Sequence, residues 1–237
     1  MPNIVILTGA GISAESGIST FRDHNGLWET HRFEDLATPE AFRRDPVLVH
    51  RFYNARRAQL KLVRPNAAHA ALARLEQGWA AGEFLLVTQN VDDLHERAGS
   101  RKLVHMHGEI RKLRCASCAD VVWHEEDAGP ELACRLCQRA GHMRPDIVWF
   151  GEMPYRMEEI YAAVERADIF VAIGTSGVVY PAAGLAAAAQ GNGRRCRTIE
   201  VNQQPTGASA FQTVIADTAV NGVSKLLHHL LNSSADS

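Results

Sequence analysis

Several features that would classify a chain at once are scarce in this one. It has five cysteines among 237 residues, an aromatic content of 7% and a formal net charge of −2. No apolar run approaches the roughly 20 residues of a membrane-spanning helix, and Met1-Pro2-Asn3 lacks the positive start of a secretory leader. These absences argue against a membrane protein and a disulfide scaffold. They also argue against a protein that binds nucleic acid or anionic lipid through a large positive net charge.

Four of the five cysteines form two Cys-x-x-Cys pairs that are fifteen residues apart. Thiolates at this spacing can converge on one tetrahedral site, which suits Zn²⁺ and leaves no open position for a substrate. The pattern therefore predicts one structural zinc per chain, with the ligands Cys115, Cys118, Cys134 and Cys137. We interpret the remaining Cys196 as a buried or idle thiol, because no nucleophile constellation surrounds it in the sequence.

Continuous apolar runs alternate with helical patterns along most of the chain. Such runs are typical of strands in a parallel sheet that is covered on both faces. Extended segments are predicted at 3–8, 84–88, 103–107, 147–150, 168–173 and 198–201, and helices at 65–79, 92–97, 157–166, 181–190 and 220–231. The predicted fold class is α/β, with a doubly wound parallel sheet.

Two stretches interrupt this alternation. Residues 25–64 lack a clear strand, and residues 111–145 contain the cysteine pairs. We interpret them as a helical module and a zinc module that together form a smaller inserted domain. The sheet domain then comprises residues 1–24, 65–110 and 146–231, and residues 232–237 form a tail.

The first predicted strand leads into Gly9-Ala10-Gly11-Ile12-Ser13-Ala14, which fits the pattern G-x-G-x-x-A. Glycines in such a loop let the backbone approach a pyrophosphate at the start of a helix, so the segment predicts dinucleotide binding. The motif is weak by itself. A dehydrogenase would next show a strand that ends in an acidic residue about twenty residues further on. Residues 21–28 are instead polar and turn-like, and hydride transfer is not favoured.

Polar residues also stand at the ends of other predicted strands, as in Gln89-Asn90-Val91-Asp92 and Gly174-Thr175-Ser176. Since ligands of such folds bind outside the carboxyl ends of the strands, we expect these segments to converge with the glycine-rich loop on one cleft between the two domains. Asn90 and Asp92 could hold ribose hydroxyls or an amide-bearing ring. Either one could equally cap the helix that follows.

A histidine near one of these strand ends is a candidate general base. His107 and His105 are two residues apart, so the alternation of a strand places both on the same face. Gly108, which allows a close backbone approach, favours His107 only slightly.

Tyr53 and Arg56 lie three residues apart and share a face if their segment is helical. A phenol and a guanidinium in this arrangement could clamp a carboxylate. The alternative is a solvated basic helix face that also includes Arg57 and Lys61.

Taken together, these motifs resemble the sirtuin family of NAD-dependent protein-lysine deacylases. The resemblance spans residues 4–230 in the family's order. It rests on residues 9–18 with Phe21-Arg22, on 88–92, on His107-Gly108, on the four cysteines, and on 148–152, 174–176 and 200–202. Ser19 and Val91 replace the family's usual Pro and Ile, and residues 216–221 match poorly.

The resemblance implies a Rossmann-like domain that binds NAD⁺, a small zinc domain and an acyl-lysine protein substrate. His107 would be the general base on a ribose hydroxyl, with Asn90 and Asp92 as the other catalytic residues. NAD⁺ would be bound by Gly9, Ala10, Gly11, Ile12, Ser13, Phe21, Arg22, Trp28, Gln89, Asn90, Val91, Asp92, Gly174, Thr175, Ser176, Asn202 and Ala219. The substrate would contact Tyr53, Arg56, Val148, Phe150, Gly151 and Glu152.

The chain length and the Tyr53/Arg56 pair resemble the bacterial and mitochondrial class III branch, whose members remove succinyl and related acidic groups as well as acetyl. The resemblance thus implies nicotinamide, O-acyl-ADP-ribose and free lysine as products. An NAD-consuming ADP-ribosyltransferase on the same fold is one alternative. The other, a zinc-ribbon nucleic-acid module, is disfavoured by the acidic residues of the zinc segment. We expect a cytoplasmic monomer with no nucleic-acid or membrane partner.

Overall fold

The computed structural model describes residues 2–18, 35–80, 82–191 and 196–232, with side chains up to Leu230. Phe21, Arg22 and Trp28, which the resemblance assigns to NAD⁺ binding, lie outside these ranges. The chain divides into two compact units. The first consists of Met1–Thr20, Arg64–Met106 and Arg156–Ser237, and the second of Phe21–Val63 and His107–Tyr155.

The first unit is built on a six-stranded parallel sheet. Its strands are β1 (Ile4–Thr8), β2 (Phe84–Thr88), β3 (Leu103–His105), β7 (Ile169–Ile173), β8 (Arg197–Val201) and β9 (Thr213–Ile215), and their order is β3-β2-β1-β7-β8-β9. Chain order reverses at β1, which pairs in register with both β2 and β7. This reversal is the switch point at which such sheets bind ligands. The predicted α/β class with a parallel sheet is confirmed.

Helices cover both faces of this sheet. They are α1 (Gly11–Ala14), α4 (Ala67–Gly78), α5 (Leu94–Ala98), α6 (Met157–Arg166), α7 (Leu185–Gly191) and α8 (Ala219–Asn232), with a 3₁₀ turn at Ala182–Gly184. Alternate residues of β1 enter two separate cores: Ile4 and Ile6 pack with α4 and α8, and Val5 and Leu7 with α6 and α7. Burial on both faces explains why the strand sequences are apolar throughout.

Some predicted boundaries differ from the observed ones. The strand predicted at 103–107 ends at His105, because Met106 and His107 form a turn before β4 (Gly108–Cys115). β9 was not predicted, since Thr213–Ile215 is short and only partly buried. Extended structure was predicted at 147–150, but the strand there is β6 (Met143–Ile147), which ends where that prediction begins.

The second unit combines two helices with a small antiparallel sheet. α2 (Pro39–Arg44) and α3 (Pro46–Leu62) each begin at a proline, and the side chains of Thr38 and Asp45 accept hydrogen bonds from first-turn amides. β4, β5 (Val121–Trp123) and β6 form the sheet in the order β5-β4-β6. Within the described residues, no helix is long and apolar enough to cross a lipid bilayer.

Candidate active site

The glycines of the first unit bring two strand-end loops into contact. A Cβ on Gly9 would lie 2.7 Å from the Gly174 carbonyl oxygen, and one on Gly11 would lie 2.7 Å from the Gly174 Cα. Gly174 itself has φ +61°, which favours glycine. These glycines are therefore required by the contact between the loops after β1 and β7. A dinucleotide, if bound there, would meet the surface that the two loops form together.

Asn90 joins a third segment to this surface. Its Nδ2 donates to the Gly9 carbonyl over 3.2 Å and to the Ser13 hydroxyl over 3.2 Å. The side chain is not used to cap α5, whose N-cap residue is Asp93. The carboxamide thus fixes the glycine-rich loop against the end of β2.

Asp92 is almost completely buried beside Asn90. One carboxylate oxygen accepts from the Leu94 amide over 3.1 Å, and the other accepts from the Ser13 hydroxyl over 3.0 Å. Burial raises the pKa of Asp92, and the hydrogen bonds only partly offset this effect. The carboxylate therefore supports the start of α5 and also faces the glycine-rich loop.

The loop after β8 forms the fourth part of this surface. Asn202 Nδ2 donates to the Thr175 carbonyl over 2.8 Å, and the Gly174 amide donates to the Val201 carbonyl over 2.9 Å. Ala219, the first residue of α8, is buried in the same unit. In this unit the structure brings together the predicted residues Gly9, Ala10, Gly11, Ile12, Ser13, Gln89, Asn90, Val91, Asp92, Gly174, Thr175, Ser176 and Asn202.

Beneath this surface lies a buried polar network that the sequence analysis missed. Thr8 Oγ1 lies 2.9 Å from Thr88 Oγ1 and 3.0 Å from His95 Nε2, and the His95 ring packs edge-on against His69. His69 Nδ1 lies 3.0 Å from Asn66 Oδ1. Burial lowers the pKa of His69 to about 4 and lowers that of His95 well below its usual value. Both histidines are therefore neutral parts of the core at pH 7.

His105 is held by acceptors at both ring nitrogens. Nδ1 lies 3.1 Å from the Asn90 carbonyl oxygen, and Nε2 lies 2.6 Å from a carboxylate oxygen of Glu96. A carbonyl can only accept, so Nδ1 carries a proton. The ring therefore has no nitrogen available to take a proton from a substrate.

His107 belongs to the second unit and lies in the turn before β4. Its carbonyl oxygen accepts from the Val148 amide over 2.9 Å. The next residue, Gly108, has φ +81°, and a Cβ there would lie 2.0 Å from the Asp146 carbonyl oxygen. Gly108 thus allows β4 to pair with β6 immediately after the turn that contains His107.

Tyr53 and Arg56 lie one turn apart on α3. Tyr53 is 4% exposed, and its hydroxyl accepts from the Trp149 indole Nε1–H over 2.9 Å. The Arg56 guanidinium lies 5.7 Å from the centroid of the Phe52 ring. Burial raises the pKa of Tyr53, and the positive charge of Arg56 opposes this effect. Arg57 is also buried and donates to the Ile110 carbonyl over 3.0 Å. Arg57 therefore does not lie on a solvated face of α3.

The other predicted substrate residues follow β6. The Phe150 ring is 44% exposed, and Gly151 has φ +88°. Glu152 has a different environment, because its carboxylate accepts from Arg144 over 2.6 and 2.9 Å and from the Trp149 amide over 2.9 Å. Although burial acts in the opposite direction, these hydrogen bonds lower the pKa of Glu152. Glu152 thus anchors the segment that carries Val148 and Phe150.

The four predicted metal ligands form one cluster in the second unit. All four sulfurs lie within 4.8 Å of one another, and two of the Sγ···Sγ distances are 3.6 Å: Cys115–Cys137 and Cys118–Cys134. A tetrahedral zinc with Zn–S bonds of about 2.3 Å needs sulfurs roughly 3.8 Å apart. The cluster therefore fits one zinc. Cys196 is 2% exposed, and burial raises its pKa to about 11, as expected for an idle thiol.

A cavity of about 560 Å³ lies elsewhere in the second unit, between α3 and residues 127–131. Its lining includes two basic side chains, His50 and Arg51, and two carboxylates, Asp127 and Glu131. None of the predicted site residues lines it. The cavity therefore takes no part in the site described above.

The fold and these side chains define a class: a nucleotide-binding α/β protein with a four-cysteine metal module. The model of the Sir2 family matches residues 9–181. An NAD-dependent protein deacylase of Vibrio parahaemolyticus is 54% identical over 232 residues, which cover 97% of this chain and 95% of that protein. One of Bdellovibrio bacteriovorus is also 54% identical, with 97% of each chain covered.

Solved structures give the same result. A Sir2 homologue mutant in complex with ADP-ribose has a TM-score of 0.87 and 40% identity, with 98% of this chain and 93% of the other covered. A complex of a Sir2 homologue with NAD has a TM-score of 0.86 and 40% identity, with 97% and 90% covered. The chain belongs to the Sir2 family, the sirtuins.

Proposed function

We propose that this protein is an NAD-dependent protein-lysine deacylase that removes acetyl and acidic acyl groups such as succinyl. The observation that carries the proposal is the 54% identity, over 97% of the chain, to a relative named an NAD-dependent protein deacylase. The products would be nicotinamide, O-acyl-ADP-ribose and free lysine.

The strand-end surface of the first unit supports NAD⁺ binding. Its groups are carboxamides, hydroxyls and a carboxylate, which can exchange their present hydrogen bonds for bonds to ribose hydroxyls and to the nicotinamide amide. When bound, NAD⁺ would supply a glycosidic bond to nicotinamide. Cleavage of that bond makes the ribose carbon electrophilic toward the acyl oxygen. We assign Asn90, Asp92 and Ser13 to the nicotinamide and ribose end, and Thr175, Ser176, Asn202 and Ala219 to the adenosine end.

We assign the general base to His107. The competing candidate, His105, has both ring nitrogens engaged by the Asn90 carbonyl and the Glu96 carboxylate. A general base needs an imidazole nitrogen that can accept a proton near neutral pH. The occupied nitrogens of His105 therefore support His107.

We assign recognition of the acyl group to Tyr53 and Arg56. An uncharged acetyl group offers no partner for the guanidinium, whereas a succinyl carboxylate can accept charge-assisted hydrogen bonds from both side chains. Val148, Phe150 and Gly151 would contact the substrate backbone, which can pair as an added strand. Glu152 would contribute to substrate binding indirectly, because it holds the segment that contains Val148 and Phe150 in place.

The four cysteines would hold one structural zinc, and the closed ligand set would keep the metal out of the reaction. Cysteines that form no disulfide are typical of a reducing compartment, which supports a cytoplasmic location. We also propose that the protein acts as a monomer with no nucleic-acid or membrane partner.

The test is mass spectrometry of the products after incubation with NAD⁺ and paired acetyl-lysine and succinyl-lysine peptides. We expect free lysine peptide and O-acyl-ADP-ribose, and we expect His107→Ala to lose at least about 100-fold in kcat, a typical contribution of general-base catalysis. Near-normal turnover by His107→Ala would remove the base assignment. ADP-ribosylated protein in place of O-acyl-ADP-ribose would indicate a transferase instead.

A further inference from the structure

Trp149 lies inside the segment 148–152, and the role proposed for its neighbours does not extend to it. Its side chain is 2% exposed, and its indole Nε1–H donates to the Tyr53 hydroxyl over 2.9 Å. The two ring centroids are 6.4 Å apart and the ring planes are tilted by 34°. An indole nitrogen can only donate, so the Tyr53 oxygen must be the acceptor in this bond.

This bond determines what the Tyr53 hydroxyl can offer to a ligand. One lone pair of its oxygen is occupied, and its proton remains available for a second bond. Among the described residues, that proton has no acceptor. Burial raises the pKa of Tyr53 to about 12, so the proton stays on the oxygen at neutral pH. Tyr53 therefore presents a donor, and the strongest partner for a buried donor is an anionic oxygen.

Trp149 is itself held at its ring and at its backbone. The Arg144 guanidinium lies 3.5 Å from the centroid of the Trp149 ring and donates to the Ile147 carbonyl over 2.7 Å. Glu152 binds Arg144 through both carboxylate oxygens and also accepts from the Trp149 amide. A cation over the ring is attracted to its face. The indole N–H is thus fixed in direction before any substrate arrives.

We propose that Trp149 is a specificity-determining positioning residue: it occupies one lone pair of Tyr53 and directs the phenol proton toward the carboxylate of an acidic acyl-lysine. The inference rests on the proposed role of Tyr53 and Arg56 in acyl recognition. It adds that the preference for an acid depends on a residue that does not itself touch the acyl group.

The test compares the wild type with Trp149→Phe, Tyr53→Phe and the double variant. Affinities for succinyl-lysine and acetyl-lysine peptides are measured by calorimetry, and kcat and KM are measured with NAD⁺. For Trp149→Phe we expect about a tenfold loss of succinyl affinity, seen mainly in KM, and less than about a twofold change for acetyl. In the Tyr53→Phe background the same substitution should have no further effect, because the two residues act through one bond.

Three results would overturn the inference. They are an equal loss on both peptides, an undiminished loss in the Tyr53→Phe background, and a wild type whose affinities do not distinguish succinyl from acetyl. A protein without deacylase turnover, but with Trp149-dependent succinyl affinity, would instead support the inference and refute the proposed function. Affinity and turnover are therefore measured separately.

A second measurement remains decisive if Trp149→Phe fails to fold. The indole N–H resonance of Trp149 in the wild type should move when succinyl-lysine peptide binds, and should move much less with acetyl-lysine peptide. Tyr53→Phe, which keeps the ring, should shift the same resonance by removing its acceptor. An indole resonance that is insensitive to both changes would contradict the inference.

Discussion

Single hydrogen bonds decide what several side chains of this protein can do. Both ring nitrogens of His105 are engaged, one by a carbonyl and the other by a carboxylate. One lone pair of the Tyr53 oxygen accepts from an indole N–H, which leaves the phenol proton to be donated. Sequence position gave no reason to separate Arg57 from Arg56. In the structure Arg57 is buried and donates hydrogen bonds to the Ile110 carbonyl, the Asn54 side chain and the Glu126 carbonyl.

Arg56→Met should lower kcat/KM for a succinyl-lysine peptide by about 10- to 100-fold, as expected for the loss of a hydrogen bond between charged groups. Turnover of the acetyl-lysine peptide should change by less than about threefold, because acetyl carries no charge. The measurement is steady-state kinetics on both peptides. The exposed Arg51, on the same helix, provides the control Arg51→Met. An equal loss on both peptides would return Arg56 to a structural role.

At the scale of elements, the small sheet of the second unit depends on one glycine and on the cysteine cluster. Gly108 begins β4 with a positive φ and packs directly against the backbone of β6. At the other end of β4, Cys115 shares a small core with Leu113, Cys134 and Met143. The apolar core at this end of β4 is small, so a bound metal would contribute much of the stability there.

Gly108→Ala should destabilise the second unit by more than about 2 kcal/mol, since it adds a steric clash to the strain of a positive φ. Gly141→Ala is the matched control, because Gly141 also has a positive φ of +74° but its Cβ would meet nothing closer than 3.6 Å. Denaturant unfolding of both variants gives the comparison. If the two variants lost the same stability, the contact between Gly108 and β6 would not be limiting.

Metal analysis should find about one Zn²⁺ per chain. Removing the metal with a chelator should first expose the amides of β4, β5 and β6 to hydrogen exchange, because the thiolates that hold these strands together would then repel one another or become protonated. The parallel sheet, which has its own apolar cores, should keep its protection. A metal-free protein with unchanged exchange in 108–147 would contradict this expectation.

At the scale of the whole molecule, several buried titratable groups make stability depend on pH. The pKa of His69 is lowered to about 4 by burial, against 6.5 for an exposed histidine. A histidine with a lowered pKa stabilises the fold above pH 6.5 and loses that contribution as the pH falls toward the folded value. His95 and Glu152, whose pKa values are also lowered, act in the same direction. Asp92 acts in the opposite direction, because burial raises its pKa.

Stability should therefore fall between about pH 6.5 and pH 4, with His69 alone accounting for up to about 3 kcal/mol. Urea unfolding at several pH values in this range measures the slope, and His69→Gln should reduce the slope by up to about one proton. An unaltered slope in His69→Gln would show that another group controls the acid sensitivity.

The sequence alone determined the fold class, the zinc ligands and the strand-end segments, because each depends on local patterns. Apolar runs indicate doubly covered strands, cysteine spacing indicates a metal, and glycines mark sharp turns after strands. The family resemblance supplied the site residues, since spacing could not separate His107 from His105 or an acyl clamp from a basic helix face.

The tertiary structure decided which partners those residues meet. Trp149 and Tyr53 are 96 positions apart, and Asn90 and Gly9 are 81 positions apart. No local pattern encodes a hydrogen bond between such distant residues, because it forms only when separate elements pack together. Packing therefore determines whether a buried group donates, accepts or stays neutral. The helices and strands that carry the group are predicted by local sequence patterns.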